Sequence, residues 1–311
     1  MKKNIQNFTI LFFLIIILLT ILTNSKDVIT SAIFSLEVWK NNIFPSLFPF
    51  FIISELLINY GFVNFIGKIF RNLVKKIFHL RDTCSFIIIM SILSGFPSSA
   101  KYITRLYQER IITIEEANHL ITFTHFSNPL FILGTIYTLI HDKKLCFIIM
   151  ISHYFGNIII GIIFRKEYVS ITSKVNIQRK SLINCLTEAI NNSINTLTYI
   201  LGTITIFIIF STLIFKYIYI SDLSSSILRG ILELTQGVKY VSLLDVNIYF
   251  KGLLITAFLS FGGISIHMQV MGILENIKIK YSRYLLSRVL HVFISSILYI
   301  IITLLFVNHY I

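Results

Sequence analysis

Three apolar stretches of the sequence contain residues that an uninterrupted membrane helix would not use. Residues 93–101, LSGFPSSAK, bring together Ser94, Gly95, Pro97, Ser98, Ser99 and Lys101. Residues 127–135, SNPLFILGT, hold Ser127, Asn128, Pro129 and Thr135, and residues 259–269, LSFGGISIHMQ, hold Gly262, Gly263, Ser265, His267 and Gln269. Gly and Pro interrupt helices, and inside a bilayer the freed backbone groups find no water. Such breaks therefore survive only against protein or a wet cavity. Broken helices beside hydroxyls and amides are the pattern of a transporter core. Asn128 before Pro129 reads as the N-cap and first residue of a half-helix, and Pro97 as the first residue of another. A helix N-terminus carries roughly half a positive charge and is a ready anion site. The chemistry expected of these residues is therefore binding of a small anionic substrate, with serines donating hydrogen bonds and Lys101 pairing with a carboxylate at the inner mouth. The competing role for the small residues is close helix packing.

Two carboxylates, Glu55 and Glu233, fall inside apolar segments. Charge at membrane depth costs roughly 2.5–3.5 kcal/mol on insertion scales, so each must be protonated, paired or in a wet cavity. The roles open to them are coupling to a proton, coupling to another ion such as sodium, or interhelical hydrogen bonding. Glu115, Glu116, His119 and His125 lie close together and raise metal hydrolysis as a competing class. No HExxH or second ligand cluster accompanies them, and Thr113 with Glu116 has the spacing of a helix-capping box. No metal, cofactor or catalytic residue is expected, and the reading is not an enzyme. Cys84, Cys146 and Cys185 lie in or beside apolar runs without CxxC spacing and read as small buried hydrophobes.

The elements that must position these residues follow from composition. The 311 residues are 55% hydrophobic and only 13% charged, with mean hydropathy +0.81, which describes an all-α polytopic membrane protein facing lipid. At about 20 residues per crossing, the length allows about eight membrane segments, including re-entrant or broken helices. The net charge of +13 is not a nucleic-acid footprint, because the basic residues fall in short segments: Lys2 and Lys3, then residues 68–81, 101–110, 165–180 and 278–288. The positive-inside rule puts these in the cytoplasm, together with the N-terminus.

Four regions follow: 1–40, a retained anchor and an interfacial helix at 28–40; 41–164, a first membrane repeat; 165–187, a cytoplasmic connection; and 188–311, a second repeat. Residues 61–82 alternate aromatic and basic residues at helical spacing and read as a helix flat on the inner leaflet. Residues 83–100 read as re-entrant from the cytoplasm, and residues 227–244 either cross or re-enter from outside. The halves echo one another as an inverted repeat: ISELLINYG with Glu55 then SGFPSS, and ILELTQG with Glu233 then SFGGIS.

Taken in order, SELL with its basic loop, LSGFPSSAK, the EEAxxLITF run into SNPLFILGT, ISHY at 151–154, LELTQG and FGGISIHMQV resemble the YlbJ-type sporulation integral membrane proteins. Phe96, Ser98 and Ser99 depart from the loop expected of many members. That family carries nucleoside-recognition gate repeats and is distantly similar to concentrative nucleoside transporters. The resemblance implies a spore-forming source and movement of dipicolinic acid from the mother cell across the outer forespore membrane. The alternatives are a transporter of nucleosides or other small solutes, and a non-transporting structural protein of the spore envelope. The expected partners are a small anion, the lipid bilayer and a coupling proton or sodium ion.

Overall fold

The computed structural model describes residues 2–166 and 181–307, with side chains described from residue 7 onward. Lys174, Arg179 and Lys180 of the expected connection lie outside the described residues. Helix α1 (Lys2–Thr23) is apolar and exposed around its circumference, as a helix facing lipid would be. Helix α2 (Ser25–Val38) passes through a π-helical turn, Trp39–Ile43, directly into α3 (Phe44–Asn59). The interfacial helix expected at 28–40 is therefore not a separate element, and the division placed at residue 40 falls inside a single helical run. Three of its polar residues face protein: Ser31 donates to Thr212 (3.0 Å), Ser35 hydrogen-bonds Thr205 (2.7 Å) and the Trp39 indole donates to the Leu197 carbonyl (2.9 Å).

Helix α4 (Phe62–Phe78) buries Val63, Ile66, Val74 and Phe78 and turns Lys68, Arg71, Lys75 and Lys76 outward. It marks one end of the bundle as the basic end. Helices α5 (Cys84–Ser94) and α6 (Ser98–Gln108) are joined through Gly95, Phe96 and Pro97. Arg110 closes α6, and α7 (Ile114–Phe123) opens on the expected capping box, Thr113 and Glu116 each bonding the other's backbone N–H. Glu116 also receives the Arg81 guanidinium, which tethers the start of α5 to the start of α7. Residues 124–128 are extended. Helix resumes at Pro129 and runs through a second π-helical stretch, Phe131–Ile136, into α8 (Tyr137–Ile140). Helix α9 (Lys143–Ile163) returns to the basic end.

The second half repeats this order. Helix α10 (Leu182–Tyr217) lies antiparallel to α2–α3, with Tyr217 beside Asn24 and Lys101 near Ser193. Helices α11 (Asp222–Leu232) and α12 (Leu234–Leu243) fold back on one another, meeting at Glu233. A Cβ on Gly237 would strike the Gly230 backbone, so the hairpin closes only because residue 237 is glycine, while a Cβ on Gly230 would meet the Phe258 ring of the next helix. Helices α13 (Ile248–Phe261) and α14 (Gly263–Ile273) form one span broken at Gly262, and α15 (Tyr281–Val307) packs antiparallel to α9.

The pairings fix which way each piece runs. The α5–α6 hairpin opens at the basic end, beside Arg81 and Glu116, and α11–α12 opens at the far end, beside Tyr217. The two hairpins therefore enter from opposite ends and their tips meet inside. A hairpin and a break occur in each half, but they do not pair in the register of the sequence echo. The hairpin tip at residues 95–97 corresponds to Glu233, and the break at 124–128 corresponds to Gly262. Small residues are needed at any interruption, so composition alone did not separate a hairpin tip from a broken span. Residues 227–244 fall within the α11–α12 hairpin.

Among the described residues, Ser25–Asn59, Lys143–Ile163, Leu182–Tyr217, Ile248–Ile273 and Tyr281–Phe306 are long and apolar enough to cross a membrane. Their outward faces are strongly apolar, with Phe293, Ile297, Leu304 and Leu305 of α15 each more than half exposed. These helices imply a lipid bilayer around a polytopic all-helical protein.

Candidate functional site

The two tips and the two breaks meet around a small cavity of about 60 Å³, room for a few water molecules in this state. Phe96 and Pro97 line it from the first hairpin, Ser127, Asn128 and Phe131 from the first break, and Glu233, Leu234 and Thr235 from the second hairpin. Ile266 and Gln269 of α14 complete the core of the site, and Asn42 and Ser46 close it from the α2–α3 run. Both π-helical stretches touch it. Such distortions widen a helix locally and recur at functional sites.

Asn128 holds the centre of this arrangement. Its Oδ1 accepts from the Leu130 N–H (2.7 Å) and caps the helix that begins at Pro129, as the Asn-Pro pair predicts. Its Nδ2 donates to the Ser94 carbonyl (3.1 Å), satisfying the freed end of α5. Gly95 has φ +77, and a side chain there would collide with the Asn128 backbone. The Phe96 N–H reaches the Phe126 carbonyl at 2.7 Å. First hairpin and first break are thus one hydrogen-bonded unit.

The extended residues 124–128 need further partners, because buried backbone groups are costly when unpaired. Three side chains of α9 supply them. His153 Nε2 accepts from the Ser127 N–H (2.9 Å), the Tyr154 hydroxyl donates to the Ser127 carbonyl (2.8 Å), and Asn157 donates to the His125 carbonyl (2.7 Å). On the other break, Gly262 has φ +92, and His267 Nε2 bonds the Phe261 carbonyl (2.9 Å). Glu233 caps α12, accepting from the Gln236 N–H (2.8 Å) and the Thr235 hydroxyl (2.5 Å).

These caps correct one expectation. The N–H groups of the half-helices at Pro129 and Leu234 do not all stand open to an anion, since Asn128 and Glu233 occupy the innermost ones. Pro97 itself is the N-cap of α6 and not its first residue, and the Ser98 N–H returns to the Gly95 carbonyl (3.0 Å). The open polar groups are side chains. Ser127 Oγ, Gln269 Nε2, Ser98 Oγ, Ser265 Oγ, Gln236 Oε1 and His125 Nε2 are buried and have no hydrogen-bond partner. Buried polar atoms are rarely left so, and Ser127 and Gln269 lie on the cavity wall.

Of the residues expected to bind substrate, Pro97, Ser127, Asn128 and Gln269 line the cavity. Ser94, Gly95, Gly262, Gly263 and His267 build its breaks from behind. Ser98, Ser99 and Ser265 are buried next to them, and Pro129 starts the half-helix. Thr135 sits one turn further along the π stretch and does not reach the wall. Lys101 is not in the cavity either. It is buried at the edge of a basic-end vestibule of about 740 Å³, 3.5 Å from Glu55 and 4.4 Å from the Phe51 ring centre, with Arg105 also on Glu55 at 3.8 Å. Of the expected coupling pair, Glu233 faces the cavity and Glu55 is already paired.

Sequence reasoning missed Asn42, Ser46 and Thr235 on the wall, and His153, Tyr154 and Asn157 behind it. It also placed Arg288 in a cytoplasmic segment. Arg288 is fully buried, donating to the Thr122 carbonyl and to Asn157 Oδ1 (3.3 Å), with His291 Nδ1 at 3.1 Å. It ties α15 to the last turn of α7, directly below the first break. Its proximity to Arg283 in sequence hid the fact that it lies on the inward face of α15.

His119 bonds the Gly161 carbonyl (2.9 Å) and Glu116 is spent on Arg81. Among the described residues no group of three His, Cys, Asp or Glu side chains is placed to hold a metal ion.

The chain is 29% identical to the sporulation integral membrane protein YlbJ of Bacillus subtilis (strain 168), over 93% of this chain and 80% of YlbJ. The chain is thus similar to YlbJ over most of both lengths. No family model matches it, and no solved structure matches it. The segments that carried the YlbJ-type resemblance now have structural roles. LSGFPSSAK is a hairpin tip, SNP and FGGIS are the two breaks, LELTQG is the opposing tip, and ISHY supplies the His153 and Tyr154 that satisfy the first break. The segments on which that resemblance was read are thus concentrated around the cavity.

Proposed function

We propose that the chain is a transporter that moves a small anionic metabolite, dipicolinate, together with a proton or sodium ion, from the mother-cell cytoplasm across the outer forespore membrane. The observation that carries this reading is the meeting of two hairpins from opposite ends with two broken spans around one cavity. Each end also has its own open vestibule, of about 740 Å³ at the basic end and about 580 Å³ at the far end. A cavity between two mouths, bounded by pieces that can shift separately, is what alternating access requires. The similarity to a sporulation membrane protein supports the setting.

Glu233 supports the coupling. A carboxylate on the wall and a carboxylate on the substrate repel strongly in a poorly hydrated space, so anion and cation would enter together. Ser127, Asn128 and Gln269 would then hold the substrate by neutral hydrogen bonds. The chain is read as a carrier and not an enzyme.

A second reading, transport of a nucleoside or other neutral solute, is favoured by one observation: no Lys or Arg lines the central cavity. Uptake of labelled dipicolinate and labelled uridine by vesicles carrying the protein separates the two. Dipicolinate accumulation without uridine accumulation is expected. The reverse would establish the neutral solute, and accumulation of neither would favour a structural role in the spore envelope.

A further inference from the structure

The far-end vestibule contains a feature that the central cavity lacks. Arg229, on the inward limb of the second hairpin, lines it and is only 7% exposed. The rings of Phe215 and Tyr240 cover the guanidinium, with centroids 4.7 and 4.3 Å away. Its Nε donates to Ser225 Oγ at 3.2 Å, while Nη1 is buried without any partner. No carboxylate is paired with it among the described residues, and the two on the vestibule lining, Asp222 and Asp245, are exposed.

A buried cation without a counter-charge is costly. Aromatic stacking recovers part of that cost but supplies no hydrogen-bond acceptor. With the rings on its faces, the guanidinium has its in-plane N–H edge left for a ligand. A planar oxyanion matches that edge, accepting parallel hydrogen bonds from adjacent nitrogens. The first hairpin also carries a buried cation at its vestibule, Lys101, but Glu55 neutralises it at 3.5 Å. The two mouths are therefore electrostatically unlike.

We propose that Arg229 forms a second anion site at the far-end mouth, taking a carboxylate of the carried solute between the central cavity and the far side. The site rests on the transport reading for its solute and not for its geometry. Small carboxylates and lipid phosphates share the required chemistry, and the enclosed position of Arg229, fewer than five residues from the Glu233 tip and inside a cavity, assigns it to the solute. It gives the far end a holding point that draws the anion out of the centre, where Glu233 repels it.

The test uses the full chain in phosphatidylcholine nanodiscs, with equilibrium binding of labelled dipicolinate. Wild type is expected to bind at two sites, and Arg229→Gln is expected to lose one, with Arg229→Lys weakened at least several-fold. In a second measurement, independent of whether Arg229 variants fold, Ser225→Cys is alkylated with and without dipicolinate. The three native cysteines are buried, so the background is low. Protection by dipicolinate is expected. Unchanged stoichiometry in Arg229→Gln together with no protection of Ser225→Cys overturns this site while leaving the central one standing. Protection only when phosphatidylglycerol is present assigns the pocket to a lipid phosphate and overturns the solute site. No dipicolinate binding by wild type removes the transport reading itself.

Discussion

Asn128 is where the physical account is most exposed. One side chain caps the half-helix after Pro129 and closes the carbonyl left open at Ser94. Asn128→Ala removes both bonds in a buried setting, and should lower stability by about 1–3 kcal/mol, read as a drop in the melting temperature of the purified protein. Asn128→Asp keeps the cap but sets a carboxylate against the Ser94 carbonyl in a buried setting, so it should cost at least as much as the alanine. Ser127 behaves oppositely. Its hydroxyl has no partner in the resting cavity, so Ser127→Ala should leave stability unchanged and weaken substrate binding by about 0.5–1.5 kcal/mol. Equal melting-point losses in the two variants would contradict this division. Glu233→Gln keeps the cap on α12 but cannot carry a proton, so it should abolish gradient-driven accumulation while leaving exchange measurable. At this scale the sequence was legible where a residue pair spells out its own geometry, as Asn-Pro does. It was illegible for Arg288, because nothing local shows which face of α15 turns inward.

The elements that matter are interruptions held open by side chains from elsewhere. Gly262 sits at φ +92, and a Cβ there would lie 2.5 Å from His125 Nε2. Gly262→Leu and Pro129→Leu should each reduce transport far more than Ser127→Ala at equal abundance in the membrane. Wild-type transport in both would reduce the breaks to packing features. His153→Ala should resemble Asn128→Ala in stability loss, since it strands the Ser127 N–H. The first hairpin was readable because Gly95 and Pro97 announce it. The second turns at Glu233 with no breaker at its tip, and its closure depends on Gly237, which meets the Gly230 backbone only once folded. The continuity of α2 with α3 was hidden by Pro45 and Pro49, which signal a helix start and a kink without showing whether the helix before them ends.

Over the whole molecule, opposed hairpins and opposed breaks give two mouths and one central cavity. The sequence echo paired the interruptions differently from the structure, since register depends on contacts between distant segments. Thiol labelling of single-cysteine variants should place Lys76→Cys on one side of the membrane and Ser224→Cys on the other, and shared sidedness would refute the inverted arrangement. The most direct test of the central claim uses Asn42, which lines the cavity from the α2–α3 run without taking part in either break. The Asn42→Cys variant, in sealed vesicles of each orientation, should react with a membrane-impermeant thiol reagent from both sides in turn, with dipicolinate slowing both reactions. Labelling from one side only, unaffected by dipicolinate, would contradict alternating access through this cavity.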